Sequence, residues 1–252
     1  MFISQEVQGL IDRGALFVIN HSGGKDSQAM CIELRKVIPA VQLLVIHADL
    51  PEVDWPEIRE HIEATIGGLP LIVCRAPKTF FEMVERRGMF PSPSLRQCTS
   101  DLKRNPIERE IRRYLVNHPE FRGLVVNCMG MRAAESSSRA KLVTFKRNLK
   151  NSVAGRDWYD WLPIHSLSTP QVFATIADAG QQPHWAYAAG MTRLSCCFCI
   201  MASQADLSTA ARLRPDLYRR YVETERRIGH TFLMPKRNCA PRGLEEVTGI
   251  AA

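Results

Sequence analysis

The stretch Asn20-His21-Ser22-Gly23-Gly24-Lys25-Asp26-Ser27 decides the fold. It follows a short apolar run at residues 15–19 and precedes a run with helical spacing at residues 28–38. This order of strand, glycine turn and helix start aims successive backbone N–H groups, and the positive end of the helix dipole, at one point. The stretch therefore predicts an anion site, although it matches neither the Walker A pattern nor the dinucleotide-binding turn.

The side chains of this stretch suit a nucleotide phosphate with a bound metal. Its two glycines allow positive φ angles and close approach of a ligand, and its lysine adds a positive charge. The charge of Asp26 would repel a phosphate unless Mg²⁺ bridges the two groups. We therefore predict nucleotide binding by Ser22, Gly23, Gly24, Lys25, Asp26 and Ser27. The alternative is a surface turn of glycine and serine that happens to contain a lysine.

Length, composition and charge limit the classes of protein that this chain represents. Its 252 residues, 45% of them hydrophobic, suit one large α/β domain or one domain with a small C-terminal addition. The apolar runs are too short to span a membrane, and the N-terminal residues lack the features of a signal peptide. We therefore expect a cytoplasmic protein whose eight cysteines serve metal or redox chemistry rather than structural disulfides. The net charge of +7 permits nucleotide or nucleic-acid partners without requiring them.

Apolar runs alternate with helical patterns through the first half of the chain. Runs at residues 41–47, 71–74 and 123–128 are typical of further strands, and the helices between them favour parallel pairing. The sequence thus predicts an α/β fold with a Rossmann-like, HUP-type, doubly wound parallel sheet. We expect a nucleotide-binding domain at residues 1–165 and a smaller, mainly helical region with a cysteine cluster at residues 166–252.

Chemically active side chains follow two of these strands. Asp49 comes after the second strand, where open α/β sheets bind ligands, and would hydrogen-bond a ribose, hold the metal or simply start a turn. Gly130 follows the fourth strand, and Arg132 and Arg139 flank Glu135. Arginine suits bidentate contact with phosphate or sulfate, and the glutamate can hold its neighbour in place. We predict that Asp49, Gly130, Arg132 and Arg139 complete the nucleotide site, and that its catalytic residues are Lys25, Asp26 and Arg132.

A helix start is predicted near residue 105. Asn105 has the character of an N-cap, with Pro106 at the first helical position and Glu108 placed for a capping box. Cys98 and Lys103 would then lie in or beside the preceding loop, and not in the packed middle of an element.

Basic and aromatic residues are mixed at residues 141–163, which contain Phe145, Trp158, Tyr159 and Trp161 among lysines and arginines. The pattern fits either a β-hairpin or a mobile flap. Such residues together can stack against and clamp a nucleic acid, and they also occur on ordinary amphipathic flaps over a site. Nucleic-acid contact is therefore one of two open interpretations.

The cysteines outside the strand and helix patterns have the spacing of a metal centre. The separation of Cys196 and Cys199 lets two thiolates reach one centre, and Cys98 with Cys197 or Cys239 completes a set of three or four. A [4Fe–4S] cluster fits the apolar neighbours of the pair. A structural Zn²⁺ site and a group of free or redox-active thiols are the alternatives, since one CxxC alone is weak evidence.

Taken in chain order, these motifs resemble the phosphoadenosine phosphosulfate (PAPS) reductase family. That family is part of the adenine nucleotide alpha hydrolase, or PP-loop ATP pyrophosphatase, superfamily. The resemblance covers residues 15–235 and is greatest to the iron–sulfur branch, which includes the sulfurtransferases of DNA phosphorothioation. The motifs are Ser22-Gly-Gly-Lys-Asp-Ser27, His47-Ala-Asp49, Cys98-x4-Lys103-x2-Pro106, Gly130-x-Arg132-x2-Glu135-Ser136-x2-Arg139 and Tyr187-x2-Gly190-x2-Arg193-x2-Cys196-x2-Cys199.

The resemblance implies a [4Fe–4S] cluster on Cys98, Cys196 and Cys199, with Cys197 or Cys239 as fourth ligand or the fourth iron left open. It also implies an adenine nucleotide, ATP with Mg²⁺, at the loop. An acceptor would be adenylated with release of pyrophosphate, and a sulfur species held on the cluster would displace AMP. The alternatives are a thiol-dependent reductase of PAPS or adenosine phosphosulfate, and a non-catalytic nucleotide-binding regulator. The tail around the last cysteine departs from the terminal motif of assimilatory reductases, which counts against reductase activity.

The partners of the chain are less closely defined by the resemblance. We expect the chain to bind an adenine nucleotide and not to bind a membrane. A nucleic-acid acceptor, a partner protein and a homo-oligomer are open alternatives.

Overall fold

Six strands form one mixed sheet in the computed structural model, which describes residues 3–235 and 240–252. They are β1 (Leu16–Asn20), β2 (Leu43–Ala48), β3 (Leu71–Cys74), β4 (Leu124–Cys128), β5 (Phe145–Arg147) and β6 (Asp157–Trp161). Their spatial order is β3-β2-β1-β4-β6-β5. β1 pairs in parallel with β2 and β4, β4 pairs in parallel with β6, and β5 is antiparallel to β6. The predicted Rossmann-like α/β fold is confirmed.

The centre of the sheet lies at β1, where the chain order of the strands changes direction. β1 and β4 are apolar and almost wholly buried, as parallel strands covered on both faces must be. Val18 of β1 lies opposite Leu44 on one side and Asn127 on the other. The loops after β1 and β4 therefore leave the sheet side by side, at the position where doubly wound sheets bind ligands.

Eleven α-helices accompany the sheet in the described part of the chain. They are α1 (Gln5–Asp12), α2 (Lys25–Arg35), α3 (Ile58–Thr65), α4 (Phe80–Arg87), α5 (Gln97–Thr99), α6 (Asn105–Asn117), α7 (Ser137–Ala140), α8 (Thr169–Asp178), α9 (Gln204–Leu213), α10 (Pro215–Ile228) and α11 (Leu244–Thr248). Ala29 and Ile32 of α2 pack against Val172 and Ile176 of α8. Among the described residues, none of these helices is both long and apolar enough to cross a bilayer.

The chain forms two compact units that interleave along the sequence. The first contains residues 1–47, 57–74 and 107–184, and the second contains residues 48–56, 75–106 and 185–252. The first unit carries the sheet. The second has its own core, formed by α4, α9, α10 and α11 together with the segments after β2 and β3. The predicted division between residues 165 and 166 stays a prediction about independently folding parts, because packing divides the chain at other points.

The predicted N-cap at Asn105 is wrong. Asn105 has φ −62° and ψ −45°, whereas an N-cap residue has extended backbone angles. The chain is already helical before it, since α5 runs through a π-helical turn at Ser100–Arg104 into α6. Cys98 and Lys103 thus lie within helical turns and not in a loop. Glu108, expected in a capping box, instead has Lys150 Nζ at 3.3 Å from its carboxylate, so tertiary pairing replaces the local cap.

Residues 141–163 contain the predicted hairpin, in which β5 pairs with β6 at the edge of the sheet. Trp158 and Trp161 are buried, and the rings of Phe145 and Tyr159 stack with their centroids 5.4 Å apart. The two tryptophans therefore belong to the core and have no face for a nucleic-acid base. Lys146 of the edge strand remains exposed.

Candidate functional site

The loop after β1 has the backbone that an anion site requires. Gly23 has φ +76°, which favours glycine, and a Cβ there would lie 2.1 Å from Ile58 Cδ1 and would have to displace that side chain. Gly24 occupies the N-cap position of α2, and Lys25 is the first helical residue. The loop therefore delivers the chain into α2 with the first N–H groups of the helix directed at its mouth.

His21 fixes the shape of this loop, a role that the sequence analysis does not predict. The Gly23 N–H donates to His21 Nδ1 at 3.1 Å, and the Ser22 N–H donates to Ser27 Oγ at 3.2 Å. Ser27 Oγ in turn donates to Gly24 O at 2.9 Å. Burial, reinforced by nearby His47 and His61, lowers the pKa of His21 to about 3. The imidazole is thus neutral and accepts through Nδ1. Its place directly before the glycine turn is the only signal in the sequence.

Lys25, Asp26 and Arg132 form one buried charge cluster. Arg132 Nε lies 2.6 Å from Asp26 Oδ1, and Lys25 Nζ lies 3.2 Å from Asp26 Oδ2. The side chains of Lys25 and Arg132 are only 6% and 3% exposed, while that of Asp26 is 22% exposed. Two cations against one carboxylate leave a positive balance beside the N–H groups of the loop. Asp26 uses two of about four lone-pair sites, which leaves room for Mg²⁺ held jointly with phosphate oxygens.

The loop after β4 packs directly on the start of α2. A Cβ at Gly130 would lie 3.2 Å from Asp26 C and from Ser27 N, so the two loops touch through their backbones. Arg132 is fixed further by Leu167 O, which accepts from Nη1 at 3.1 Å. Glu135 accepts the Arg132 N–H at 2.8 Å and pairs with Arg139. Glu135 thus holds the side chain of Arg139 and the backbone of Arg132, and the phosphate contacts of both arginines stay predictions.

Asp49 lies in the second unit, at the wall of a cavity of about 180 Å³. Its carboxylate pairs with Arg75 Nη2 at 2.5 Å, and Lys78 and Thr79 also line the cavity. With Glu52 also in its lining, the cavity combines two carboxylates with two cationic side chains. A role for Asp49 in nucleotide binding stays a prediction.

Four of the described cysteines lie in the second unit, and two of them contact cations. Lys103 Nζ donates to Cys196 Sγ at 3.4 Å, and Arg214 Nη1 donates to Cys197 Sγ at 3.5 Å. Arg214 is anchored by the Asp54 carbonyl, which accepts from the same Nη1 at 3.1 Å. The other two cysteines of this group are Cys98 and Cys199. Cys239 lies outside the described residues.

Burial keeps the thiols of Cys98, Cys196 and Cys197 protonated in the absence of a metal. It raises the pKa of Cys196 to about 12, against the opposing effect of Lys103, and it also raises the pKa of Cys98 and Cys197. The neighbouring Cys196 raises the pKa of Lys103 well above its usual range, so this lysine stays charged. A bound metal would displace the thiol protons and leave thiolates facing two fixed cations.

The spacing of the sulfur atoms distinguishes between the metal alternatives. Within residues 3–235 and 240–252, no three cysteine sulfur atoms lie within 4.8 Å of one another. A single tetrahedral zinc with Zn–S bonds of about 2.3 Å holds its thiolates about 3.8 Å apart. A cluster that places iron and sulfide between its ligands holds them farther apart. The described cysteines therefore do not form a preformed zinc site, and the iron–sulfur cluster stays a prediction.

Comparison with known proteins gives one family match and two distant relatives. The model of the phosphoadenosine phosphosulfate reductase domain matches residues 17–202. An uncharacterised protein of Methanocaldococcus jannaschii is 25% identical over 220 residues, which are 83% of this chain and 47% of that protein. An uncharacterised 37.8 kDa protein of Escherichia phage 186 is 28% identical over 149 residues, 59% of this chain and 43% of that protein. The chain spans about half the length of the curated relatives it matches.

Two solved structures are similar at low sequence identity. PAPS reductase from Candida auris, in a phosphate complex, is 14% identical with a TM-score of 0.49, covering 78% of this chain and 97% of that one. The U34-tRNA thiolase NcsA from Methanococcus maripaludis, with its [4Fe-4S] cluster, is 13% identical with a TM-score of 0.45. The match covers 97% of this chain and 87% of that one.

Proposed function

Because the chain belongs to the phosphoadenosine phosphosulfate reductase domain family, we propose that it is an enzyme that uses ATP to transfer sulfur to an acceptor. The observation that carries the proposal is the charge cluster of Lys25, Asp26 and Arg132 beside the N–H groups of the loop. Such a cluster suits a polyphosphate with a bound Mg²⁺, because its carboxylate can coordinate the ion while its two cations balance phosphate charge.

In the first step, an oxygen of the acceptor attacks the α-phosphorus of ATP. A new P–O bond forms to the acceptor, the bond between the α-phosphorus and the bridging oxygen breaks, and pyrophosphate leaves. Lys25 and the N–H groups of the loop stabilise the charge that develops on the leaving phosphates. Asp26 would hold Mg²⁺ with its remaining lone pairs, and Arg132 would keep the Asp26 carboxylate oriented.

In the second step, a sulfur nucleophile attacks the activated carbon of the acceptor. A C–S bond forms, the C–O bond to the adenylate breaks, and AMP leaves. Cys98, Cys196 and Cys199 would hold a [4Fe–4S] cluster, with Cys197 or Cys239 as a fourth ligand or the fourth iron open. When bound, the cluster supplies soft iron that binds sulfur donors. Lys103 contributes a fixed positive charge next to Cys196.

Nucleotide preference separates this proposal from its runner-up. The runner-up is a thiol-dependent reductase of PAPS or adenosine phosphosulfate, which the name of the matched family favours. We expect calorimetry on anaerobically purified protein to show tighter binding of ATP with Mg²⁺ than of either sulfonucleotide. Preference for a sulfonucleotide would instead support the reductase.

Lys25→Ala tests the adenylation step. We expect pyrophosphate release from ATP, measured with pooled transfer RNA and with DNA as acceptors, to fall about 100-fold or more, because a buried cation that stabilises the leaving group is lost. Lys36→Ala is the matched control, since Lys36 follows the same helix and is exposed. Unchanged release in Lys25→Ala would rule out this mechanism.

A further inference from the structure

Helix α10 carries two buried tyrosines whose hydroxyl groups have different surroundings. The hydroxyl of Tyr218 lies 2.8 Å from Thr248 Oγ1 and donates to Ile250 O at 2.7 Å. Tyr221, one turn later, is 0% exposed, and its hydroxyl has no hydrogen-bond partner among the described residues. Leaving a buried hydroxyl unpaired destabilises the folded state. The missing partner of Tyr221 therefore calls for an explanation.

The ring of Tyr221 is fixed by aromatic neighbours. Its centroid lies between 5.0 and 6.1 Å from those of five phenylalanines, namely Phe80, Phe81, Phe90, Phe198 and Phe232. Edge-on, tilted and stacked contacts of this kind stabilise one orientation of the ring. The hydroxyl therefore cannot turn out to water without breaking up the core of the second unit.

The groups that act on this hydroxyl are the cysteines. Burial raises the pKa of Tyr221 well above its usual range, and Cys196, Cys197, Cys199 and Cys98 raise it further. The phenol thus keeps its proton at every physiological pH and can only act as a neutral partner. Phe198, between two of these cysteines in sequence, contacts the ring directly. The orphaned O–H and the predicted cluster ligands share one buried region.

We propose that Tyr221 donates a hydrogen bond from its hydroxyl to sulfur in the cysteine-bound cluster and so raises the reduction potential of that cluster. This inference rests on the proposed function, because it requires the cluster. A hydrogen bond to cluster or ligand sulfur stabilises the more negative, reduced state. Tyr221 is therefore a positioning residue that acts on the cluster and need not touch the substrate.

The test compares Tyr221→Phe with Tyr218→Phe in the full chain after anaerobic reconstitution with iron and sulfide. Both variants remove one buried hydroxyl from α10, and only that of Tyr221 lacks a hydrogen-bond partner among the described residues. We expect Tyr221→Phe to bind as much iron and sulfide as the wild type. In a redox titration followed by electron paramagnetic resonance, its ratio of reduced to oxidised cluster at a fixed potential should fall about tenfold, which is about 59 mV for one electron. Tyr218→Phe should titrate like the wild type.

An unchanged potential in a fully loaded Tyr221→Phe protein would overturn the hydrogen bond and leave the proposed cluster standing. A wild-type chain that binds no iron or sulfide would overturn both. If Tyr221→Phe does not fold, 3-fluorotyrosine placed at position 221 is the substitute, since it keeps the ring and makes the phenol a stronger donor. The potential should then shift upward, and the absence of a shift would count against the proposal.

Discussion

At the scale of single residues, the nucleotide loop is organised by an uncharged histidine. The Gly23 N–H donates to His21 Nδ1, and this contact needs the ring to be without a second proton. Burial holds the pKa of His21 at about 3, and that of His61 at about 4 with help from His184. Both rings are neutral in the fold and titrate at ordinary values in the unfolded chain.

The free energy of unfolding should therefore depend on pH on the acid side of neutrality. Well above pH 6.5 neither state binds a proton at His21, and the contribution of this residue to stability is constant. As the pH falls from there towards 3, the unfolded chain takes up a proton that the folded chain does not, so stability declines by up to about 1.4 kcal/mol per pH unit. Urea unfolding at a series of pH values between 4 and 7 measures this slope.

The substitution His21→Asn separates the role of His21 as a hydrogen-bond acceptor from its effect on the pH dependence of stability. The Oδ1 atom of asparagine can replace Nδ1 as acceptor for the Gly23 N–H, so the loop should survive, whereas the titrating group is gone. We expect a shallower decline of stability with falling pH and unchanged ATP binding. His118→Asn, at the surface, is the control. An equally steep decline in His21→Asn would show that other groups cause the slope.

At the scale of elements, the nucleotide site depends on the contact between the loop after β4 and the start of α2. Gly130 approaches the backbone of Asp26 and Ser27 so closely that a Cβ would already be at 3.2 Å. Gly130→Val should push the loop away from α2 and weaken the pairing of Arg132 with Asp26. We expect ATP affinity, measured by calorimetry, to drop at least tenfold while the fold is retained.

Gly9→Ala is the matched control for this substitution. Gly9 lies in α1, and nothing lies within 4 Å of a Cβ built there. The control should bind ATP normally and stabilise the chain by up to about 1 kcal/mol, because alanine is the better helix former. Normal ATP binding by Gly130→Val would mean that the loop contact does not shape the site.

The sequence predicted the first four strands, the loop after β1 and the helix that follows it, because their signals are local. An apolar run, two glycines and a helical period are all visible within a short stretch of chain. Asn105 shows the limit of local signals, because its sequence pattern is that of a complete N-cap. In the structure the preceding π-helical turn makes Asn105 helical, and Glu108 pairs with Lys150 and not with the cap. His21 and Tyr221 were missed for a related reason, since burial and missing partners depend on residues distant in sequence.

At the scale of the whole molecule, two ligands should protect two different units. ATP with Mg²⁺ should slow amide hydrogen exchange at residues 21–28 and 129–133, in the first unit. Reconstitution with iron and sulfide should slow it at residues 97–104 and 194–200, in the second unit. At a ligand concentration of about 100 times the dissociation constant, binding stabilises the folded state by about 2.7 kcal/mol. Amide exchange should then be about 100-fold slower wherever the opening that permits exchange also releases the ligand.

An iron chelator provides the control for this experiment. The chelator should restore fast hydrogen exchange in the second unit and should leave the slowing that ATP causes in the first unit unchanged. Hydrogen exchange that is the same at residues 97–104 and 194–200 with and without iron and sulfide would contradict the assignment of the cluster to these cysteines.

The path of the chain between the two units also bears on inheritance. The chain passes from one unit to the other five times, at residues 47/48, 56/57, 74/75, 106/107 and 184/185. A single recombination breakpoint anywhere in the gene would split at least one unit between two parents. Neither unit can thus be acquired or lost as a cassette. The phosphate loop and the cysteines have had to diverge together in one reading frame, so lineages of this chain should differ by substitutions and loop insertions and not by exchange of modules.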